Sequence, residues 1–358
     1  MCGIVGYIGD ENATGIIIDG LKKLEYRGYD SSGIALVTKD HQLIVRKKKG
    51  RIANLEELIA GEDLYANLGI GHTRWATHGA PSDVNAHPHT DMSGRIAVVH
   101  NGIVENYLAL KEWLIKEHNV VFKSETDTEI IAQLIGVLYD GDIEEAVRKA
   151  VEKMQGAYGI GVICRDEPDK MIAVRKDSPL IVGLGQGCNF IASDIPALLK
   201  YVRQIYLIEN NEMVVLTAND VKIYNADHEE VHRDVFNVTW DADAAEKEGY
   251  DHFMLKEIHE QPKGIRDTLV RRMDENGEIV LDGIKLTKED IEGFNKVYIV
   301  ACGTAYHAGL IGKFAIEKLA KISVEVDVAS EFRYRDPFID DKTLFIAISQ
   351  SGETLDTL

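Results

Sequence analysis

The chain of 358 residues is 45% hydrophobic, 28% charged and 7% aromatic, and carries a formal net charge of −19. That length predicts about two domains of roughly 150 residues, and the apolar fraction is that of a folded chain rather than a disordered one. So acidic a surface excludes non-specific binding to nucleic acid or anionic membranes, but leaves room for one basic pocket. No run approaches the ~18 apolar residues of a membrane-spanning helix, and the opening MCGIVGYIGD lacks the basic and long apolar regions of a secretory signal. The four cysteines (Cys2, Cys164, Cys188, Cys302) show neither C-x-x-C nor metal-finger spacing and read as free thiols in a reducing cytoplasm.

Residues 3–9 are apolar and punctuated by glycine, which predicts an opening strand. Helical spacing follows over 12–26, with Ile16, Ile17, Leu21 and Leu24 on one face. Strand-like segments lie at 33–38, 43–47, 68–74 and 96–99. Two helices are predicted at 126–139 and 143–154, the second stopped near Gly156. Short strands recur at 160–164, 171–175, 190–192, 213–216 and 221–224. This mixture is no regular βαβ alternation. It predicts an α+β domain over residues 1–239, with helices on largely antiparallel sheets. The acidic stretch WDADAAEKEGYD then predicts a linker, and 240–285 also holds an amphipathic helix. Met254, Ile258, Ile265 and Leu269 share one side of it, and Pro262 marks a place for a kink. After the turn-like DENGE, residues 286–358 become strictly periodic: strands at 297–301, 324–328 and 344–348, with a helix at 306–319. That order predicts an α/β doubly wound parallel sheet.

Cys2 follows the initiator methionine. Removal of Met1, which the small residue at position 2 permits, would put a thiol and a free α-amine on one residue. With a reference pKa of about 7.7–8.0, that amine can take the thiol proton near neutral pH, and no separate histidine is needed. Alone, a cysteine here is more simply a small residue opening a strand.

Its context is more specific. Cys2-Gly3-Ile4-Val5-Gly6 resembles the opening of the N-terminal-nucleophile glutamine amidotransferases. The resemblance continues through Leu24–Gly33 (LEYRGYDSSG), Gly71–Gly79 (GHTRWATHG), Asn85–His89 (NAHPH), His100–Asn106 (HNGIVEN) and Ser124–Glu129 (SETDTE). Within that superfamily the set resembles the glutamine–fructose-6-phosphate aminotransferases, the glucosamine-6-phosphate synthases. The resemblance implies an αββα sandwich for the first domain and no metal or organic cofactor.

Opening a glutamine amide needs a nucleophile, an oxyanion stabiliser, and grips for a carboxylate and an ammonium. Cys2 is the candidate nucleophile. Asn101 and Gly102, placed just after an apolar strand where a turn can aim donors outward, would form the oxyanion hole. Asn-Gly on its own is also a common turn dipeptide. Arg74 suits the carboxylate, because a planar guanidinium binds it bidentately. Asp127 suits the ammonium, although Thr126-x-x-Glu129 is also a capping box that favours an acid there. The resemblance adds binding or supporting roles for Arg27, Thr77, His78 and His87, and makes Trp75 the gate of an ammonia channel. As a residue type Trp75 could equally be an ordinary core aromatic. Five of the twelve histidines fall between 72 and 100 without metal-motif spacing. They read as hydrogen-bonding groups around a glutamine pocket.

In the periodic segment, Ala301-Cys302-Gly303-Thr304 and Ser349-Gln350-Ser351-Gly352-Glu353-Thr354 end two strands and lead into helices. Hydroxyls and helix N-termini at strand carboxyl ends can hold a phosphate without a basic cluster. The pair resembles the sugar-phosphate loops of SIS (sugar isomerase) domains, which assigns phosphate contacts to Thr304, Ser349, Gln350, Ser351 and Thr354. Ala305 departs from the pattern, which has Ser there. The expected substrates are L-glutamine and fructose 6-phosphate, with no nucleic acid or membrane partner, in a cytoplasmic homodimer. Two rivals remain: an amidotransferase with another acceptor, and a non-catalytic sugar-phosphate-binding protein. The helix begun after Thr354 has hardly started at Leu358, so the SIS domain is expected to be incomplete in this chain.

Overall fold

Along residues 3–9, Ile4, Gly6 and Ile8 alternate with Val5 and Tyr7, and both sets are buried. A strand apolar on both faces must lie inside a sheet covered on both sides. The computed structural model describes residues 2–76, 79–239, 250, 252–270, 272–273, 279–281, 283–349 and 356–357. The chain divides into two compact units, Met1–Gly249 and Tyr250–Leu358.

In the first unit the Gly3–Gly9 strand sits inside an eight-stranded sheet, antiparallel to Leu68–Arg74 on one side and Cys188–Ala192 on the other. A second sheet of seven strands is built around the antiparallel pair Ile96–Val104 and Gly156–Cys164. Ile4, Ile8, Leu68 and Ile70 of the first sheet meet Ala97, Val99, Ile163 and Ala173 of the second in a buried core between them. The outer face of the first sheet packs Val5 and Tyr7 against the helix Ala13–Leu24 and the short helix Ile52–Ile59. The outer face of the second packs Ile96, Val98 and Ile160 against the helices Tyr107–His118, Asp127–Leu138 and Ile143–Val151. The layers are helix, sheet, sheet, helix: the αββα sandwich.

Boundaries agree with the sequence where apolar periodicity runs to the end of an element. The helix predicted at 12–26 is Ala13–Leu24, capped by the Asn12 side chain accepting from Thr14 N, followed by a 3-10 turn at Glu25–Arg27. The second predicted helix ends at Val151 rather than 154. One boundary moves in a way that matters. The strand predicted at 96–99 continues to Val104, so Asn101 and Gly102 lie within a strand rather than in a turn after it. Pairing with the glycine-rich Gly156–Cys164 strand carries the polar residues along.

Among its described residues the second unit has three parallel strands, Lys296–Ala301, Ser323–Val328 and Thr343–Ile348, with Lys296–Ala301 in the middle. The helix Gly303–Leu319 makes the first crossover. The predicted amphipathic helix is Phe253–Val270, with Pro262 inside it, and Met254, Ile258, Ile265 and Leu269 are exposed. The linker residues 240–249 and the DENGE turn lie outside the described residues.

Candidate active site

The N-terminal strand is fixed at its start by a reciprocal pair. Ile4 N donates to Ser193 Oγ and Ser193 N donates to Ile4 O, both at 3.0 Å. This holds Cys2 at the end of the sheet, and because Gly3 pairs with Thr73, Arg74 follows directly across the ladder. The Cys2 thiol accepts from Trp75 N at 3.2 Å. Burial pushes the Cys2 thiol above its usual range, and the Trp75 N–H and the Arg74 guanidinium oppose that rise. At neutral pH the sulfur is therefore a thiol, and its use as a nucleophile requires a base.

Asn101 turns its side-chain amide to the same place. Its Nδ2 donates to Cys2 O at 3.1 Å, and its Oδ1 lies 3.0 Å from His72 Nε2. Gly102 has φ +124°, and a Cβ there would lie 2.0 Å from Ala157 O. Only glycine fits a backbone that leaves the regular pleat next to Asn101.

Arg74 is buried and its Nη2 donates to Gly79 O at 3.1 Å, so it is no surface ion pair. Asp127 is the first residue of its helix and its Oδ2 accepts from Val104 N at 3.0 Å, tying the helix start to the strand that carries Asn101. The expected capping box is half formed. Thr126 Oγ1 accepts from Glu129 N, but the Glu129 carboxylate accepts from Lys123 N and Ser124 N instead. Trp75 is 52% exposed, with its ring edge-on to Tyr29 at 5.8 Å, and is not a core aromatic. Thr77 and His78 lie outside the described residues, as does the side chain of Arg27.

The histidines form a buried layer behind these groups. His72 stacks on His87 at 4.1 Å, and His87 meets His89 at 5.1 Å. His89 Nε2 lies 3.0 Å from Thr126 Oγ1, and His100 Nδ1 lies 3.0 Å from Thr128 Oγ1. Burial drives His87 and His89 well below the usual imidazole range. Among the described residues no three His, Cys, Asp or Glu side chains are grouped to hold a metal.

Three supporting contacts were not foreseen from sequence, although His72 was among the histidines read as hydrogen-bonding groups. The Asp30 carboxylate accepts from Ala76 N and from Ser31 Oγ, anchoring the backbone that follows Trp75. Asn85 clamps Glu125 from both ends of its amide: Glu125 N donates to Oδ1 at 3.0 Å, and Nδ2 donates to Glu125 Oε2 at 3.1 Å. His72 orients Asn101. All three stand inside recognised motifs, so their presence was legible but their partners were not. His72 had one further signal: it lies two residues from Arg74 on a strand, hence on the same face.

Residues 72–200 match the glutamine amidotransferase domain and residues 291–358 match the SIS domain. The chain thus carries a match to a glutamine amidotransferase domain followed by a match to a SIS domain. It is 60% identical over its whole length to a glutamine–fructose-6-phosphate aminotransferase (isomerizing) of Clostridium tetani, and 54% identical to one of Aquifex aeolicus. In both cases it spans 59% of the relative's length. A solved glutamine phosphoribosylpyrophosphate amidotransferase of B. subtilis matches 98% of this chain and 69% of its own, with TM-score 0.59 at 19% identity, a likeness of fold.

In the SIS segment, Thr304 is exposed in the first turn of the Gly303–Leu319 helix, just past the central strand, and Ser349 directly follows the neighbouring strand Thr343–Ile348. Both lie at carboxyl ends of adjacent parallel strands. Cys302 packs against Tyr298, Val300 and Ala329. Gln350, Ser351 and Thr354 lie outside the described residues. No helix among the described residues is long and apolar enough to cross a membrane.

Proposed function

We propose that this chain, freed of Met1, hydrolyses L-glutamine at Cys2 and that the ammonia released is destined for fructose 6-phosphate, giving glucosamine 6-phosphate. The observation that carries the reading is the meeting of Cys2 with the Asn101 amide, through the 3.1 Å bond to Cys2 O, at the open end of a buried sheet. The Cys2 α-amine takes the thiol proton, and the sulfur attacks the glutamine amide carbon. Asn101 Nδ2 and Gly102 N stabilise the oxyanion, a donor pair of a kind that contributes about 3 kcal/mol per member. Collapse, with the Cys2 α-ammonium returning its proton to the leaving nitrogen, expels ammonia and leaves a γ-glutamyl thioester, which water hydrolyses to glutamate. Arg74 takes the glutamine carboxylate and Asp127 its ammonium, with Arg27, Thr77, His78 and His87 lining or supporting the pocket. Trp75 gates the exit of ammonia. An enclosed route has a chemical reason: ammonia in water at pH 7 is mostly ammonium, which is no nucleophile.

Residues 1–239 form the glutaminase domain in this reading, and 286–358 carry a sugar-phosphate site at Thr304, Ser349, Gln350, Ser351 and Thr354. We place the working protein in the cytoplasm as a homodimer on the family resemblance. Mass spectrometry of products from glutamine plus fructose 6-phosphate tests the proposal. Glutamate with amino sugar supports it in full. Glutamate alone from this chain and from its longest natural form points to another acceptor, and no glutamate at all sinks it. Intact mass supplies a cheaper check, because a retained Met1 blocks the α-amine.

A further inference from the structure

We infer that His72 is a positioning residue for the glutamine chemistry: a neutral imidazole whose Nε2–H fixes the Asn101 amide with its nitrogen toward Cys2. The inference rests on the proposed hydrolysis at Cys2 for its kinetic consequences, but not for its geometry. His72 Nε2 lies 3.1 Å from the backbone oxygen of His100 and 3.0 Å from Asn101 Oδ1. A carbonyl oxygen can only accept, so Nε2 carries the hydrogen. Asn101 Nδ2 lies 3.1 Å from Cys2 O, a second pure acceptor, so the amide nitrogen faces Cys2. The two neighbours agree on one orientation.

That agreement is needed because asparagine does not choose for itself. Its terminal torsion is broad and nearly two-fold, and a half-turn exchanges oxygen and nitrogen at little intrinsic cost. In the flipped state Nδ2 would confront the His72 N–H, and Oδ1 would confront Cys2 O. His72 thus converts an ambidextrous amide into a fixed donor. One Nδ2 hydrogen is spent on Cys2 O, and the other is the one the oxyanion requires.

The ring is also held neutral. His72 is fully buried and its Nδ1 has no hydrogen-bond partner. A second proton would sit there without an acceptor, against the stacked ring of His87 and near His100 and the Arg74 guanidinium. Burial, the largest cause, lowers its pKa to about 3. A charged His72 could still donate from Nε2, so neutrality matters for a different reason. It keeps an uncompensated cation out of the layer beneath Arg74, which must present its own charge to the substrate.

The test compares His72→Gln, which keeps an N–H donor at similar reach, with His72→Leu, which removes it. His72→Leu is expected to lower kcat for glutamine hydrolysis about a hundredfold with little change in KM, and His72→Gln to recover most of that loss. In the His72→Leu background, Asn101→Ala is expected to add less than about threefold, since its amide is already misaligned. Equal losses in Gln and Leu, an effect confined to KM, or additive effects of the two sites would overturn the inference. Should His72→Leu fail to fold, the spectroscopic readout that follows decides the inference. Nitrogen-15 spectra of histidine-labelled chain give a readout independent of turnover. His72 should show a protonated Nε2 and a bare Nδ1, unchanged across about pH 5–8, where ordinary imidazoles titrate. The Nδ1–H tautomer, or titration in that range, sinks the inference even in an active enzyme. Absence of any glutaminase activity with the expected spectrum would instead sink the proposed function.

Discussion

The two units build their candidate sites in opposite ways. In the first, Cys2, Arg74, Asn101 and Asp127 come from three strands and a helix start far apart in sequence, and each is fixed by a hydrogen bond to another part of the unit. In the second, Thr304 and Ser349 stand at the ends of adjacent parallel strands, placed there by strand order alone. An antiparallel sandwich covered on both faces has no topological cleft, so its site has to be assembled at strand ends by buried polar contacts. A parallel doubly wound sheet offers a crevice as a consequence of its winding. Substitutions should therefore act strongly and cooperatively in the first unit, and weakly and locally in the second.

The largest expected effect is at Cys2. Cys2→Ala removes the proposed nucleophile, and glutamate release should fall at least about a thousandfold, with the thermal midpoint nearly unchanged. Residual turnover within tenfold of the parent, measured as glutamate formed per chain, would place the nucleophile elsewhere. The second unit should respond more gently. Thr304→Val removes one exposed hydroxyl from the expected phosphate loop and should weaken calorimetric binding of fructose 6-phosphate by roughly tenfold, about the worth of one hydrogen bond to a charged group. Glutamate release should be untouched. A loss of glutaminase activity in Thr304→Val, or unaltered sugar-phosphate affinity, would break the contrast between the units.

How much was legible follows the same divide. The parallel unit could be read to within a few residues because Lys296–Ala301 and Thr343–Ile348 are nearly continuous apolar runs and Ser323–Val328 places a valine at every second position. In the sandwich, the strand Ile96–Val104 was cut short at Val99, because His100, Asn101 and Gly102 are polar or flexible and read as a turn. They stay in the ladder because His100 is bonded by Thr128, Asn101 by Cys2 and His72, and Gly102 has no side chain to collide with Ala157 O. Each is a tertiary fact. The helices Ile52–Ile59 and Tyr107–His118 escaped for another reason. Each buries just two residues, Ile52 with Leu55 and Leu110 with Leu114, while Leu108 and Ile115 are exposed and blur the pattern. The candidate site residues were legible as motifs. The bonds that arm them, His72 to Asn101, Asn85 to Glu125 and Asp30 to Ala76, join segments that no spacing rule connects.

The smallest expected effect probes the cost of such polar assembly beside the site. Lys47 lies on the edge strand Leu43–Lys49 and donates to Val84 O at 3.0 Å. Burial is the largest cause lowering its pKa to about 8, with the nearby Arg74 and Lys123 charges pushing the same way and the Glu129 and Asp83 carboxylates opposing them. The sign follows from proton binding. Between about pH 8 and the usual lysine value of 10.5, the unfolded chain holds a proton at this position that the folded chain has begun to release. The Lys47 contribution therefore makes the fold more stable as pH rises through that window, and it is a constant penalty below it. Tyr7 and Tyr158 work in the opposite direction. Their hydroxyls are pushed up to about 12, so the folded chain keeps protons that the unfolded chain loses above about pH 10. The useful range is thus pH 8 to about 10, and the comparison must be between slopes rather than single values. Cys2, Cys164 and Cys188, all raised by burial, add the same downward slope to both proteins and cancel. Urea midpoints at several pH values should show the Lys47→Met chain losing up to about 1 kcal/mol per pH unit of the parent's upward contribution. Parallel slopes for parent and variant would mean that this cation is as well solvated as a surface lysine, and that the edge of the sandwich carries its charges as cheaply as the exposed loops of the parallel unit do.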